Sequence, residues 1–319
     1  MGVSRSVAER IDPQVRSRLD QLVALVGPGG LAGIEDIATR RRRHAELTAT
    51  VGRRPLPEGV EVRDHHVDGL FLRSYRLTRS TGSAPCVYYL HGGGLVSGSV
   101  EGDDGKAAAL AVETGAVVVS VDYRLAPEHP YPAALDDCVQ GLRWLVDEAD
   151  ELGIDPARVA VHGSSAGGGL AAATALRVRD HGGPAIAYLV LVSPMLDDRS
   201  SSPSSLVNTG FGAWSREANL QAWRAYLGPG LDPVPPYAAP ARAADLAGLP
   251  PCFLDTGDLD LFRDETLELA SRLMGAGVPV ELHVHPGAIH GGESLAPTAE
   301  LSVRARALRV NAVRRALGS

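Results

Sequence analysis

The strongest constraint on this chain is an alternation. Short, continuous apolar runs trade places with longer amphipathic ones from about residue 86 onward. Cys86-Val-Tyr-Tyr-Leu90, Ala116-Val-Val-Val-Ser-Val121, Val159–Val161, Ile186–Val192, Phe253–Leu254 and Val278–Val284 read as strands. Between them lie helical patterns: Ala133–Leu152, with Leu135, Val139, Leu142 and Leu145 on one face, a helix from Ala166, one after Asp264, and a last one running to Ala316. Strands apolar throughout and separated by amphipathic helices predict a mostly parallel sheet covered on both faces, the α/β class. Ahead of this, Val15–Val26 carries an apolar stripe at helical spacing that Gly27-Pro-Gly-Gly30 stops. A second helix runs into Arg40-Arg-Arg-Arg43, read as a solvated helix face, and Val60–Arg76 alternates like two antiparallel strands joined by Asp68-Gly69. Leu196–Tyr237 breaks the alternation. It is polar and aromatic, with Phe211, Trp214, Trp223 and Tyr226, and reads as an inserted helical element. No internal repeat appears, so residues 1–319 read as one domain with excursions.

Composition narrows the partners. With 45% hydrophobic and 22% charged residues, a sizeable core is available. A net charge of -7 argues against nucleic acid or an anionic membrane as partner. No apolar run spans a bilayer and no signal peptide is apparent. Cys86, Cys138 and Cys252 form no CxxC and lie in or beside apolar runs, as buried free thiols of a cytoplasmic protein would. Walker loops, HExxH and clustered Cys/His spacings are missing, so neither a metal nor another cofactor is called for.

Gly163-Ser164-Ser165-Ala166-Gly167 joins a strand to a helix. In a G-x-S-x-G turn the central residue has strained backbone angles, so the residues two before and two after it must be small. Centring on Ser165 satisfies this, whereas centring on Ser164 would put His162 at a small position. Ser165 is therefore the candidate nucleophile and Ser164 a supporting residue. The hydroxyl then sits at a helix start, where the next N–H and the helix dipole stabilise negative charge. His91-Gly92-Gly93-Gly94 directly follows the first apolar strand, and three glycines let backbone N–H groups approach a ligand unobstructed.

These motifs, together with Asp122-Tyr-Arg-Leu-Ala-Pro-Glu-His129, Gly257-Asp-Leu-Asp-Leu-Phe-Arg-Asp-Glu265 and Pro286-Gly-Ala-Ile-His-Gly291, resemble the hormone-sensitive-lipase-like branch of the α/β-hydrolases, bacterial carboxylesterases with an HGGG loop. The motifs occur in family order from about residue 85 to the C-terminus. The resemblance implies Ser165 as nucleophile, His290 as base, and Gly93, Gly94 and Ala166 N–H groups as the oxyanion hole. The loop at Asp258-Leu259-Asp260 offers two acids, and Asp260 lines up with the family's acid. His91, Gly92, Leu95, Ser164 and Trp214 are the expected substrate-side residues. Leu261 departs from the family's proline, Ser164 from its usual aspartate, and Leu95 from an aromatic, which reshapes the pocket beside the HGGG loop.

Other histidines read differently. His162 precedes the elbow on a buried strand, as a hydrogen-bonded core residue does. His283 and His285 alternate along a strand, and only His290 lies past a strand end, where functional groups gather in α/β sheets. Glu128 and His129 read as structural or pocket-edge, and Asp264 and Glu265 as helix-starting acids.

The expected activity is hydrolysis of short-chain (acetyl to about hexanoyl) or aryl esters through an acyl-enzyme, with residues 1–48 and 196–237 capping the site. The partner is a small-molecule ester, and a homodimer is a family expectation. An amidase or lactonase, an acyltransferase, or a non-catalytic binding protein on the same fold stay open as alternatives.

Overall fold

The computed structural model describes residues 7–27, 34, 36–51, 56–80, 82–207 and 214–319. Two helices, α1 (Pro13–Val26) and α2 (Ile37–Val51), precede the hairpin β1 (Val60–Val67) and β2 (Leu70–Leu77). The alternating core follows as β3 (Ala84–Leu90), α3 (Val100–Thr114), β4 (Val117–Val121), α4 (Ala133–Asp147), α5 (Ala149–Leu152), β5 (Ile154–Ser164), α6 (Ala166–His181) and β6 (Tyr188–Val192). The insertion contributes α7 (Pro203–Val207) and α8 (Arg216–Leu227). The chain then runs through β7 (Cys252–Gly257), α9 (Arg263–Gly275), β8 (Val280–His285), α10 (Gly292–Leu295) and α11 (Glu300–Leu317).

The eight strands form one sheet in the order β1-β2-β4-β3-β5-β6-β7-β8. The β1–β2 and β2–β4 pairs are antiparallel and every other pair is parallel. This is the covered, mostly parallel sheet expected from the apolar runs. All residues of β3, β4, β6 and β7 are buried. One face packs on α4, α6 and α9, and the other on α3 and α11. In α4, Leu135, Cys138, Leu142 and Leu145 make the fully buried stripe.

Some expectations change. The helix expected over Ala133–Leu152 breaks at Glu148 (φ -98°, ψ 22°), and the turn lets both Ala149 and Leu152 reach the interior. The basic run 40–43 is only half solvated. Arg40 is 5% exposed and lies over the Trp214 ring at 5.7 Å. Arg41 donates to the carbonyls of Val96 and Ala126 and pairs with Glu128. Two of the four arginines thus fasten α2 to the body, a long-range contact that a local charge pattern does not encode. α1 buries Val15 and Leu19 against Leu259 and Ile289, and the Asp12 side chain caps its first turn. Of the segments expected to cap the site, 1–48 and 196–237, residues 1–6, 28–33, 35 and 208–213 lie outside the described residues. Phe211 and most of the Gly27–Gly30 stop are among them.

The three cysteines are free and buried, and burial pushes up the thiol pKa of each, helped at Cys138 by the neighbouring Asp137 carboxylate. His162 is a core residue (7% exposed), but its Nδ1 has no hydrogen-bond partner. The ring stacks on Tyr89 at 5.1 Å instead. Among the described residues no helix is long and apolar enough to cross a membrane.

Two consequences are measurable. A Cβ at Gly141 of α4 would lie 2.3 Å from the buried Tyr88 hydroxyl, which donates to the Cys138 carbonyl. Gly141→Ala should therefore destabilise the protein in urea unfolding, although alanine is the better helix former by about 1 kcal/mol. Burial, with the nearby Arg309 cation, pushes His162 down to about 4. Between that value and its unfolded pKa of 6.5 the unfolded chain binds the extra proton, so stability falls as pH drops through this window. His162→Phe should lose less stability than the wild type between neutral pH and about pH 4, read from unfolding curves at both.

Candidate active site

β5 ends at Ser164, and the chain turns sharply into α6. Ser165 sits in the turn at φ 57°, ψ -120°, a conformation that L-residues avoid. Three backbone hydrogen bonds hold it there. Ser165 N donates to the Val192 carbonyl at 2.8 Å, and its own carbonyl accepts from Met195 N and Gly169 N. A Cβ at Gly163 would lie 2.0 Å from the Gly167 carbonyl oxygen, and one at Gly167 would lie 2.1 Å from that of Leu90. The small residues at both flanks are steric requirements, as the motif predicts. Ser165 is 8% exposed, and Ala166 is the first residue of the 16-residue helix α6.

The strand ends β7 and β8 bring two more groups to this serine. His290 Nε2 lies 3.0 Å from Ser165 Oγ, and His290 Nδ1 lies 3.0 and 3.2 Å from the two Asp260 carboxylate oxygens. Asp260 is 2% exposed and also accepts from Phe262 N. The Phe262 ring meets the imidazole edge-on at 4.9 Å. Of the two acids in that loop, Asp260 faces His290. Asp258 accepts instead from Gly287 N at 2.7 Å and from Arg10 at 2.6 Å. His285 contacts Asp255, His283 contacts Glu281, and neither reaches Ser165.

The HGGG loop lies alongside. Gly92 backs onto the turn, since a Cβ there would be 3.1 Å from the Ser164 carbonyl oxygen and 3.6 Å from Ser165 Cβ. Ser97 ties the loop down through its N–H and hydroxyl, both donating to the Gly93 carbonyl. Gly94 has φ +65°, and a Cβ there would run 2.2 Å from the Trp214 benzo edge. Trp214 is in turn held by Nε1 donating to Asn219 Oδ1 at 3.2 Å, while Arg40 covers its face. The structure thus brings Ser164, Ser165, Ala166, Asp260, His290, Gly92, Gly93, Gly94 and Trp214 together. His91 and Leu95 lie deeper. His91 is 1% exposed, stacks on Tyr123 at 4.1 Å, and has Nδ1 2.8 Å from the Gly92 carbonyl. Burial lowers its pKa, so the ring is neutral and Nδ1–H is the donor. Leu95 is 3% exposed and belongs to the main core.

Local patterning missed several supports. Glu265, expected as a dipole partner, is buried and accepts from Leu196 N at 2.7 Å, pinning the start of the insertion to α9; burial drives its carboxyl pKa well up. Trp223 and Tyr226, read as cap aromatics, are 2% and 1% exposed and pack into the core. Trp214, by contrast, lies directly against Gly94 of the HGGG loop.

The contact between Gly94 and Trp214 predicts a rescue. Gly94→Ala should lower ester hydrolysis at least tenfold (an order of magnitude is about 1.4 kcal/mol) by colliding with the indole. Gly94→Ala/Trp214→Ala should recover part of that loss, and initial rates of the two single variants and the double variant decide it.

A sequence profile of the family described as alpha/beta hydrolase fold matches residues 87–293. Carboxylesterase NlhH of Mycobacterium tuberculosis is 38% identical over 317 residues, covering 96% of each chain. An arylesterase of Saccharolobus solfataricus is 36% identical over 196 residues, 60% of this chain and 63% of that one. Among solved structures, bacterial heroin esterase superposes with a TM-score of 0.90 at 37% identity, covering 98% of this chain and all of the other. With the elbow, the HGGG loop and the sheet order in the same chain, this protein belongs to the α/β-hydrolase family, in its hormone-sensitive-lipase-like branch of carboxylic ester hydrolases.

Proposed function

We propose that this chain is a serine carboxylesterase for short-chain (acetyl to about hexanoyl) or aryl esters, working through an acyl-enzyme with Ser165 as nucleophile. The observation that carries the reading is the continuous contact Ser165 Oγ–His290 Nε2 at 3.0 Å and His290 Nδ1–Asp260 at 3.0 Å. A serine hydroxyl needs an adjacent base at neutral pH, and the base needs a third group to fix its tautomer. Buried Asp260 accepts Nδ1–H, which leaves Nε2 free to take the Ser165 proton.

In this reading Ser165 attacks the ester carbonyl. The developing oxyanion is held by the Gly93, Gly94 and Ala166 N–H groups, aided by the α6 dipole. His290 passes its proton to the leaving alcohol, and water then repeats the sequence on the acyl group. Nothing in this cycle calls for a metal or a cofactor. Residues 1–48 and 196–237 act as cap elements. Trp214 supports a short or flat acyl group, because its benzo edge takes the space beside Gly94. The arylesterase relative supports aryl leaving groups. Ser164 and Gly92 line the turn beside the reacting carbonyl, while His91 and Leu95 act from behind by shaping the HGGG loop.

Initial rates on p-nitrophenyl acetate, butyrate, octanoate and palmitate test this for the wild type, Ser164→Ala and Ser165→Ala. The expected outcome is activity on the two shorter esters, retained in Ser164→Ala and reduced by several orders of magnitude in Ser165→Ala. Ser165→Ala activity near that of wild type would overturn the nucleophile assignment. A folded wild type inert on all four esters would turn attention to amides, lactones, acyl transfer to alcohols, or ligand binding without turnover.

A further inference from the structure

A second His–Asp pair lies beneath the one that faces Ser165. His285 Nε2 is 3.3 Å from Asp255 Oδ2, joining β8 to β7 as His290–Asp260 does five residues later on both chain segments. Among the described residues, no serine hydrogen bond to the His285 ring is seen. The Asp255 carboxylate takes the guanidinium of Arg309 from α11, with Nε donating to Oδ2 at 2.7 Å. Arg309 Nη1 also pairs with Glu293 of α10 at 2.7 Å. The chain between these anchors carries His290: His285 precedes it by five residues and Glu293 follows it by three.

The inner pair is nearly dry, with Asp255 1% exposed and the Arg309 side chain 12%, whereas Glu293 at the outer end is 32% exposed. Burial opposes ionisation of Asp255, but the Arg309 cation and the His285 hydrogen bond overcome it, and the carboxyl stays below its usual range. Removing one member of a buried ion pair leaves the other charge uncompensated, whereas a surface pair is worth little. We propose that Arg309 is a positioning residue, bracing both ends of the His290 loop through Asp255–His285 on one side and Glu293 on the other, so that Nε2 stays in reach of Ser165. This deepens the esterase reading and rests on it for its kinetic consequences.

The test uses Arg309→Met, Arg309→Lys, Glu293→Gln and Arg306→Met. Arg306 pairs with Glu293 at 3.8 Å and with Glu113 at 3.2 Å, so its variant disturbs the same surface without touching Asp255. With p-nitrophenyl butyrate, kcat should fall about ten- to hundredfold in Arg309→Met, as for a misplaced catalytic group, with KM within about twofold of wild type. Arg309→Lys should recover part of the loss, Glu293→Gln should show a smaller fall in kcat, and Arg306→Met should stay at wild type. The low-field proton resonance of His290–Asp260 should shift or broaden in Arg309→Met, a readout that needs no substrate. It therefore remains informative if the esterase reading itself fails. Unchanged kcat and an unchanged resonance in folded Arg309→Met would overturn the proposal. If that variant does not fold, Glu293→Gln with wild-type kcat and resonance overturns it.

Discussion

Everything at the candidate active site depends on one uncomfortable residue. Ser165 holds a backbone conformation that costs on the order of 1–3 kcal/mol, and its neighbours must over-determine it. The hydrogen bond that Ser165 N donates to the Val192 carbonyl, and those its own carbonyl accepts from Met195 N and Gly169 N, tie the strained peptide to the next strand, the following loop and the new helix. Those contacts require β5 and β6 to be parallel and in register, Gly163 opposite Leu191 and Ser164 opposite Val192. The sheet is thus the clamp that keeps a hydroxyl aimed outward.

A second layer of order comes from the chain ends. α1 packs against Leu259 and Ile289, each adjacent to a member of the Asp260–His290 pair, and Asp12 N donates to the Gly287 carbonyl. α2 reaches the other side, with Arg41 on the Val96 carbonyl and Arg40 over Trp214. From the far terminus, α11 supplies Arg309. Segments remote in sequence therefore surround a candidate site whose Ser165, Asp260 and His290 all lie just past strand ends.

Periodicity reveals whatever repeats locally, and little else. Apolar runs such as Cys86–Leu90 reported a strand because burial on both faces leaves no polar positions. The elbow was legible because its steric rule acts between residues two apart, and the HGGG loop because three glycines in succession are a local fact. Choosing Asp260 over Asp258 needed either the family pattern or the fold, since both carboxylates sit in one short loop and only the turn after Gly257 separates their directions. The parts that escaped the sequence depend on partners far along the chain. Arg40 and Arg41 look like any basic helix face until Trp214 and Val96 are beside them. Glu265 looks like a helix-starting acid until Leu196 N points at it. Arg309 sits in a helix rich in arginine, and no spacing marks it from Arg304 or Arg314.

The buried cysteines carry a consequence for chemical probing. Cys86 and Cys138 are fully buried, Cys252 nearly so, and desolvation keeps all three as thiols at neutral pH, Cys252 with its pKa pushed up to about 12. A thiol without access or ionisation is a poor nucleophile. A thiol-directed label added to the folded protein therefore meets no accessible native cysteine. A cysteine introduced on the surface would likewise be the sole site for a maleimide dye, with no need to remove the native three.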